Sequence, residues 1–167
     1  MAAHYPSLTV ITQNVDDLHE RAGSDAVIHL HGSLHYPYCL SCRRPYTLPP
    51  GVPDEPHGGR RLAPPRCQYC GGPVRPGVVW FGENLLEAAW LAANNATKEC
   101  DLFFSIGTSA MVHPAKTLPL FAHKRRACVV QINTTPTELN PVASYNLTGM
   151  AGEILPALYQ AAFGPEN

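Results

Sequence analysis

Cys39 and Cys42, and again Cys67 and Cys70, stand at the Cys-x-x-Cys spacing that lets two tight turns present four thiolates to one cation. The spacer between the pairs, residues 43–66, is slightly longer than in common zinc ribbons, but the paired turns carry the chemistry. A closed shell of four thiolates leaves no open coordination position, so zinc held there braces the chain and does not react. His31 is the candidate general base, because imidazole takes and gives protons near neutral pH. His29 and His35 compete with it. Alternation along a strand places His29 and His31 on one face, so periodicity does not choose between them. Gly32 favours His31, since a missing side chain lets a ligand approach closely. Gly107-Thr108-Ser109, after an apolar run, offers backbone N–H groups and hydroxyls to a ribose or phosphate, or is an ordinary turn. Asn133 suits ribose hydroxyls or a cap. Asp16 and Asn14 read as a helix-start and a turn residue, or as ligand contacts.

These groups need elements to hold them. Leu8–Thr12 and Ala26–Leu30 read as strands, separated by the polar loop Gln13–Asp17. Residues 34–78 are crowded with proline and glycine (Gly51, Gly58, Gly59, Gly71, Gly72 and Gly77), a composition that needs a staple. Val78–Gly82 turns strand-like again. A helical spacing runs through Leu85, Leu86, Ala89, Trp90, Ala93 and Ala96. Leu102–Ile106 has the continuous apolar character of a buried parallel strand. A helix is predicted from about Pro114, a strand over Ala127–Ile132, a short strand over Ser144–Leu147 and a helix over Ala151–Ala162. Strands alternating with helices predict a doubly wound parallel sheet, whose ligands lie beyond the carboxyl ends of its strands.

The chain of 167 residues is 45% hydrophobic and 15% charged with net charge −1, a globular composition with no overall pull toward nucleic acid or acidic surfaces. Arg43, Arg44, Arg60, Arg61, Arg66 and Arg75 cluster in the cysteine-rich segment, opposed there by Asp54 and Glu55. They could contact phosphates, but no aromatic-rich stacking platform accompanies them. Residues 1–6 lack a basic start and an apolar run, and no stretch approaches the roughly 20 apolar residues of a membrane span. Cys100 and Cys128 read as buried thiols, and a reducing cytoplasm is expected. Asn95-Ala96-Thr97 and Asn146-Leu147-Thr148 match the glycosylation pattern by chance on that reading.

Taken in order, the motifs resemble the sirtuins, NAD-dependent protein-lysine deacylases. Thr12-Gln13-Asn14-Val15-Asp16-Asp17-Leu18-His19 is similar to their TQN(I/V)DxLH motif, and Leu30-His31-Gly32-Ser33 to the motif of their catalytic histidine. The two cysteine pairs, Arg75 through Glu83, Gly107-Thr108-Ser109, Asn133 and Gly149-Met150-Ala151 follow in the family's order. The wording VVWFGE most resembles the class III branch, which includes enzymes acting on acidic acyl-lysines.

The resemblance implies an α/β fold: a partial Rossmann-like parallel-sheet domain, residues 1–33 and 79–167, with an inserted zinc-binding domain at 34–78. It implies NAD and zinc as cofactors and acyl-lysine proteins or peptides as partners, with no membrane or nucleic-acid role. It makes His31 the catalytic base. Gln13, Asn14, Val15 and Asp16 would line the nicotinamide and ribose pocket. Gly107, Thr108, Ser109, Asn133 and Ala151 would contact the adenosine half of NAD. Val79, Trp80 and Phe81 would hold the substrate, and Cys39, Cys42, Cys67 and Cys70 the zinc.

The sequence departs from the family in having no Gly-rich segment of the GAGxSxxSGIPxFR type and no Tyr-x-x-Arg pair after it. The expectation is that the chain resembles the C-terminal two-thirds of a sirtuin, that the strands at Leu8–Thr12 and Leu102–Ile106 would flank an absent one, and that this polypeptide alone binds NAD weakly. A non-catalytic zinc-stapled binding module and a zinc-ribbon nucleic-acid binder stand as alternatives.

Overall fold

The structure, a computed structural model, describes residues 4–48 and 61–164. Asp54, Glu55, Arg60 and the glycines Gly51, Gly58 and Gly59 lie outside the described residues. Cα packing divides the chain into two units, Val10–Ala89 and Met1–Thr9 with Trp90–Asn167.

In the unit Val10–Ala89, two β-branched runs form strands β1 (Val10–Thr12) and β2 (Val27–His29), joined through the single-turn helix α1 (Leu18–Arg21). They pair in parallel, Val10 opposite Val27 and Thr12 opposite His29. Both are shorter than the runs predicted from sequence. Leu8 and Thr9 are exposed and outside the ladder, while Leu30 leaves it yet is buried.

Strands β3 (Gly32–Cys39) and β4 (Val74–Val78) form an antiparallel ladder, with Gly32 opposite Val78 and Cys39 opposite Val74. This corrects the sequence expectation, which places no strand between 34 and 77 and begins one at Val78. Pro37, Pro76 and Gly77 depress strand propensity, and the register shifts between Ser33 and Tyr38. The glycines permit the close approach of the two backbones. A Cβ at Gly32, which has φ +73°, would strike the Gly77 carbonyl oxygen, and one at Gly77 would strike that of Tyr36.

In the other unit, β5 (Leu102–Ile106), β6 (Cys128–Asn133) and β7 (Tyr145–Thr148) form a parallel sheet in that order. The central strand β6 is buried, with Val129 and Ile132 fully excluded from solvent. Helix α2 (Glu87–Glu99) leads into β5, α3 (Thr117–Lys124) crosses from β5 to β6 and packs on both, and α4 (Ala151–Phe163) follows β7 and packs on β6. Helix α3 starts at Thr117, later than the sequence predicts. Pro114 sits in a preceding turn, where its carbonyl accepts both the N–H and the hydroxyl of Thr117. Ala122, Ala127, Val129 and Leu139 close the core with Phe103 and Leu120 against them.

Among the described strands, β1 pairs only with β2 and β5 only with β6, so each has one unpaired edge. No described helix is long and apolar enough to cross a membrane. The class of protein is therefore α/β, with Rossmann-like parallel strands and a small antiparallel module carrying the cysteines.

Candidate active site and metal centre

His31 lies two residues beyond the end of β2, and its Nδ1 lies 3.0 Å from the carbonyl oxygen of Gln13. A carbonyl only accepts, so Nδ1 carries the proton and the neutral ring keeps Nε2 as its basic atom. No described residue hydrogen-bonds to that Nε2. His29 differs. Its Nδ1 faces the Asn14 carbonyl at 3.2 Å and its Nε2 the Glu20 carboxylate at 2.6 Å, so both nitrogens are engaged. His35 is exposed and 3.5 Å from Asp17. Hydrogen bonding thus separates three histidines that alternation cannot.

The same contacts fix the loop between β1 and α1. Successive carbonyls of Gln13, Asn14 and Val15 are held by His31, His29 and the Leu34 N–H respectively. The Asn14 N–H donates to Thr12 Oγ1, and Asp16 accepts the Leu18 N–H at 3.1 Å. Asp16 therefore starts the turn into α1. His31 and the loop Gln13–Asp16 form one hydrogen-bonded body.

Val79, Trp80 and Phe81 continue from β4 but lie outside its ladder. The Val79 N–H donates to the His31 carbonyl at 2.8 Å, which ties this segment to His31. Trp80 is 53% exposed and Phe81 fully exposed. Beneath them lies Arg75, only 8% exposed. Its Nη1 and Nη2 reach the two carboxylate oxygens of Glu83 at 2.6 and 2.9 Å. The Arg75 fork, followed by the Trp80 N–H, holds the Glu83 carboxyl down at about 2. In the sequence Arg75 reads only as one of the clustered arginines that could contact phosphates, and Glu83 only as part of a motif; their pairing leaves no trace there.

The four cysteine sulfurs lie within 4.8 Å of one another, with Cys39 to Cys70 at 3.5 Å and Cys42 to Cys67 at 3.7 Å. Tetrahedral zinc with bonds of about 2.3 Å separates its sulfurs by about 3.8 Å, so the donor set fits that ion. Each pair sits on a like turn. The N–H of Arg43 returns to the Cys39 carbonyl and that of Gly71 to the Cys67 carbonyl, and both residues adopt positive φ. The Cys42 N–H, first among several donors, pulls the Cys39 thiol down to about 6. The Gly72 amide also favours the Cys70 thiolate, but the crowding thiols of Cys39, Cys42 and Cys67 push it up to about 12. Four thiolates cannot all ionise at this spacing without a cation among them. Three arginines of this module have local partners: Arg43 lies over Tyr38, Arg44 over Tyr69, and Arg66 donates to the Gly71 carbonyl.

In the other unit, Gly107, Thr108 and Ser109 leave the carboxyl end of β5 and line an open cavity of about 440 Å³ with Asn133, Thr137 and Glu138. Asn133 donates from Nδ2 to the Thr108 carbonyl at 2.7 Å and caps the Thr134 N–H, so both ends of its amide shape the rim. Gln131, 3% exposed in β6, bonds to Asn140, Asn146 and the cavity-lining Thr137. Ala151 opens α4. Two residues before it, the Gly149 N–H donates to the Asn133 carbonyl.

Residues 1–114 match the Sir2 family, and the chain belongs to that family. It is 63% identical over 161 residues to the NAD-dependent protein deacylase of Methylococcus capsulatus, covering 96% of this chain and 63% of that protein. It is 54% identical over 156 residues to NAD-dependent protein deacylase 1 of Pseudomonas aeruginosa, covering 92% of this chain and 62% of that protein. The chain thus spans under two thirds of the length of these relatives. Among solved structures, a Sir2 homolog–NAD complex superposes with TM-score 0.80 at 43% identity, covering 92% of this chain and 57% of that one. A Sir2 protein bound to a myristoylated histone peptide gives TM-score 0.79 at 40% identity, covering 91% and 63%.

Proposed function

We propose that the protein is an NAD-dependent protein-lysine deacylase in which His31 is the general base. The single observation that carries this is His31 itself: Nδ1 anchored on the Gln13 carbonyl, Nε2 left basic, hydrogen-bonded to the loop whose residues resemble the family's nicotinamide pocket. The relatives named as deacylases and the peptide-bound and NAD-bound neighbours support it.

Bound NAD would supply the ADP-ribose that accepts the acyl group as nicotinamide leaves, with one water consumed in freeing the lysine, to give O-acyl-ADP-ribose. His31 Nε2 takes a proton from a ribose hydroxyl, and the Gln13 carbonyl steadies the imidazolium that results. Gln13, Asn14, Val15 and Asp16 bind the nicotinamide ribose. Val79, Trp80 and Phe81 hold the acyl-lysine peptide. Gly107, Thr108, Ser109, Asn133 and Ala151 bind the adenosine half. Cys39, Cys42, Cys67 and Cys70 hold zinc, which braces residues 34–78 as a module inserted between 1–33 and 79–167. Four cysteines assigned to zinc and none of the six in a disulfide support a reducing, cytoplasmic setting.

A chimera tests the reading: this chain replaces the matching residues of the Methylococcus deacylase, and deacylated peptide and nicotinamide are followed by mass spectrometry. The chimera is expected to turn over acyl-lysine peptide only with NAD, and His31→Asn to lower the rate at least about 100-fold with zinc retained. A folded, zinc-loaded chimera without NAD-dependent turnover would overturn the proposal, as would full activity in H31N.

A further inference from the structure

Trp80 and Phe81 present two large apolar side chains to solvent, yet the backbone at Val78, Val79 and Trp80 is held by hydrogen bonds. The Trp80 N–H donates to Glu83 Oε2 at 3.0 Å, and the Trp80 carbonyl accepts the Glu83 N–H at 2.9 Å. The Arg75 guanidinium carbon lies 3.8 Å from the centre of the Trp80 ring, a stacked cation–π distance. Arg75 Nη2 also donates to the Val78 carbonyl at 3.0 Å. One buried arginine therefore grips the end of β4, the indole and the carboxylate that closes the turn.

This is an expensive way to stabilise a turn. Arg75 is a buried cation, and its Nε has no hydrogen-bond partner among the described residues. Buried ion pairs contribute little net stability compared with apolar packing, but they fix geometry. A rigid backbone under exposed aromatic side chains is what a docking ledge needs, because the ordering entropy is spent before the partner arrives.

We infer that Arg75 and Glu83 are positioning residues that preset the Val79–Phe81 segment for an extended acyl-lysine peptide. The inference rests on the functional reading above. The bond from the Val79 N–H to the His31 carbonyl makes the ledge continuous with the base, so a preset ledge also fixes where the peptide lies relative to His31.

The test uses tryptophan emission, because the chain has two tryptophans, Trp80 and Trp90. In a Trp90→Phe background, Trp80 anisotropy reads the clamp directly, and titration with an acetyl-lysine or succinyl-lysine peptide reads binding without NAD. Glu83→Gln removes the charge from a half-exposed side chain. Arg75→Lys keeps the charge but loses the planar fork. Both variants are expected to free Trp80, lowering its anisotropy, and to weaken peptide binding about tenfold with zinc content unchanged. Unchanged anisotropy or unchanged affinity in both variants would overturn the inference while the functional reading stands. So would loss of zinc in both, which would make the pair a stability element. If the W90F parent binds neither peptide, the functional reading fails first and the positioning role falls with it.

Discussion

At the scale of single residues, the distinctions that matter are made by hydrogen-bond partners. His29 ends β2 and His31 lies two positions on, and apart from the family motif the sequence gives only the adjacent glycine to separate them. The structure separates them by chemistry: carbonyl and carboxylate on His29, one carbonyl on His31. Glu83 shows the same dependence on partners and yields a pH prediction. Arg75 and the Trp80 N–H hold its carboxyl at about 2, below its ordinary 4.5. A depressed carboxyl contributes stability that is full above its unfolded value and lost as pH falls through its folded value. The clamp should thus hold above pH 4.5 and release between 4.5 and about 2. Trp80 anisotropy in W90F protein should fall across that window. Glu83→Gln, with nothing to titrate there, should show a smaller change.

At the scale of elements, the sequence makes the parallel strands legible because they are apolar and uninterrupted. Leu102–Ile106 is a strand with the bounds its composition suggests, and β6 differs by one residue at each end. The ladder of β3 and β4 was hidden. Its pairing depends on two glycines that meet across strands and on a shifted register, and neither leaves a periodic trace. The cysteine cluster was legible because thiolate spacing is a local property. The Arg75–Glu83 pair was not, because nothing in the spacing says that the arginine passes under Trp80. Gly32 is the element-level position most open to test. Alanine there meets both a positive φ and the Gly77 carbonyl. Gly32→Ala is expected to cost about 2 kcal/mol or more in urea unfolding, and to disturb the step from β2 into β3 where His31 sits.

At the scale of the molecule, the two units are stabilised by different means. The sheet of β5, β6 and β7 has an ordinary apolar core around Val129 and Leu139. In the cysteine module the buried cluster is Cys39, Cys67 and Val74, with Cys42 and Tyr46 packed against it. The candidate metal ligands make up most of that interior. Chelating zinc is therefore expected to abolish the β3–β4 ladder, seen as loss of amide protection over Cys39 and Val74, while protection of Val129 and Ile132 persists. Equal loss in both units would show that the sheet, too, depends on the metal.

That interior of thiols ties the module to its surroundings through mass action. A folded state that binds an ion its unfolded state does not hold gains about 1.4 kcal/mol for each tenfold rise in the free ion above its dissociation constant. The stability of this module is then no fixed property of the chain. It follows the chemical potential of zinc in the buffer or the cell, and its melting temperature should climb with the logarithm of free zinc.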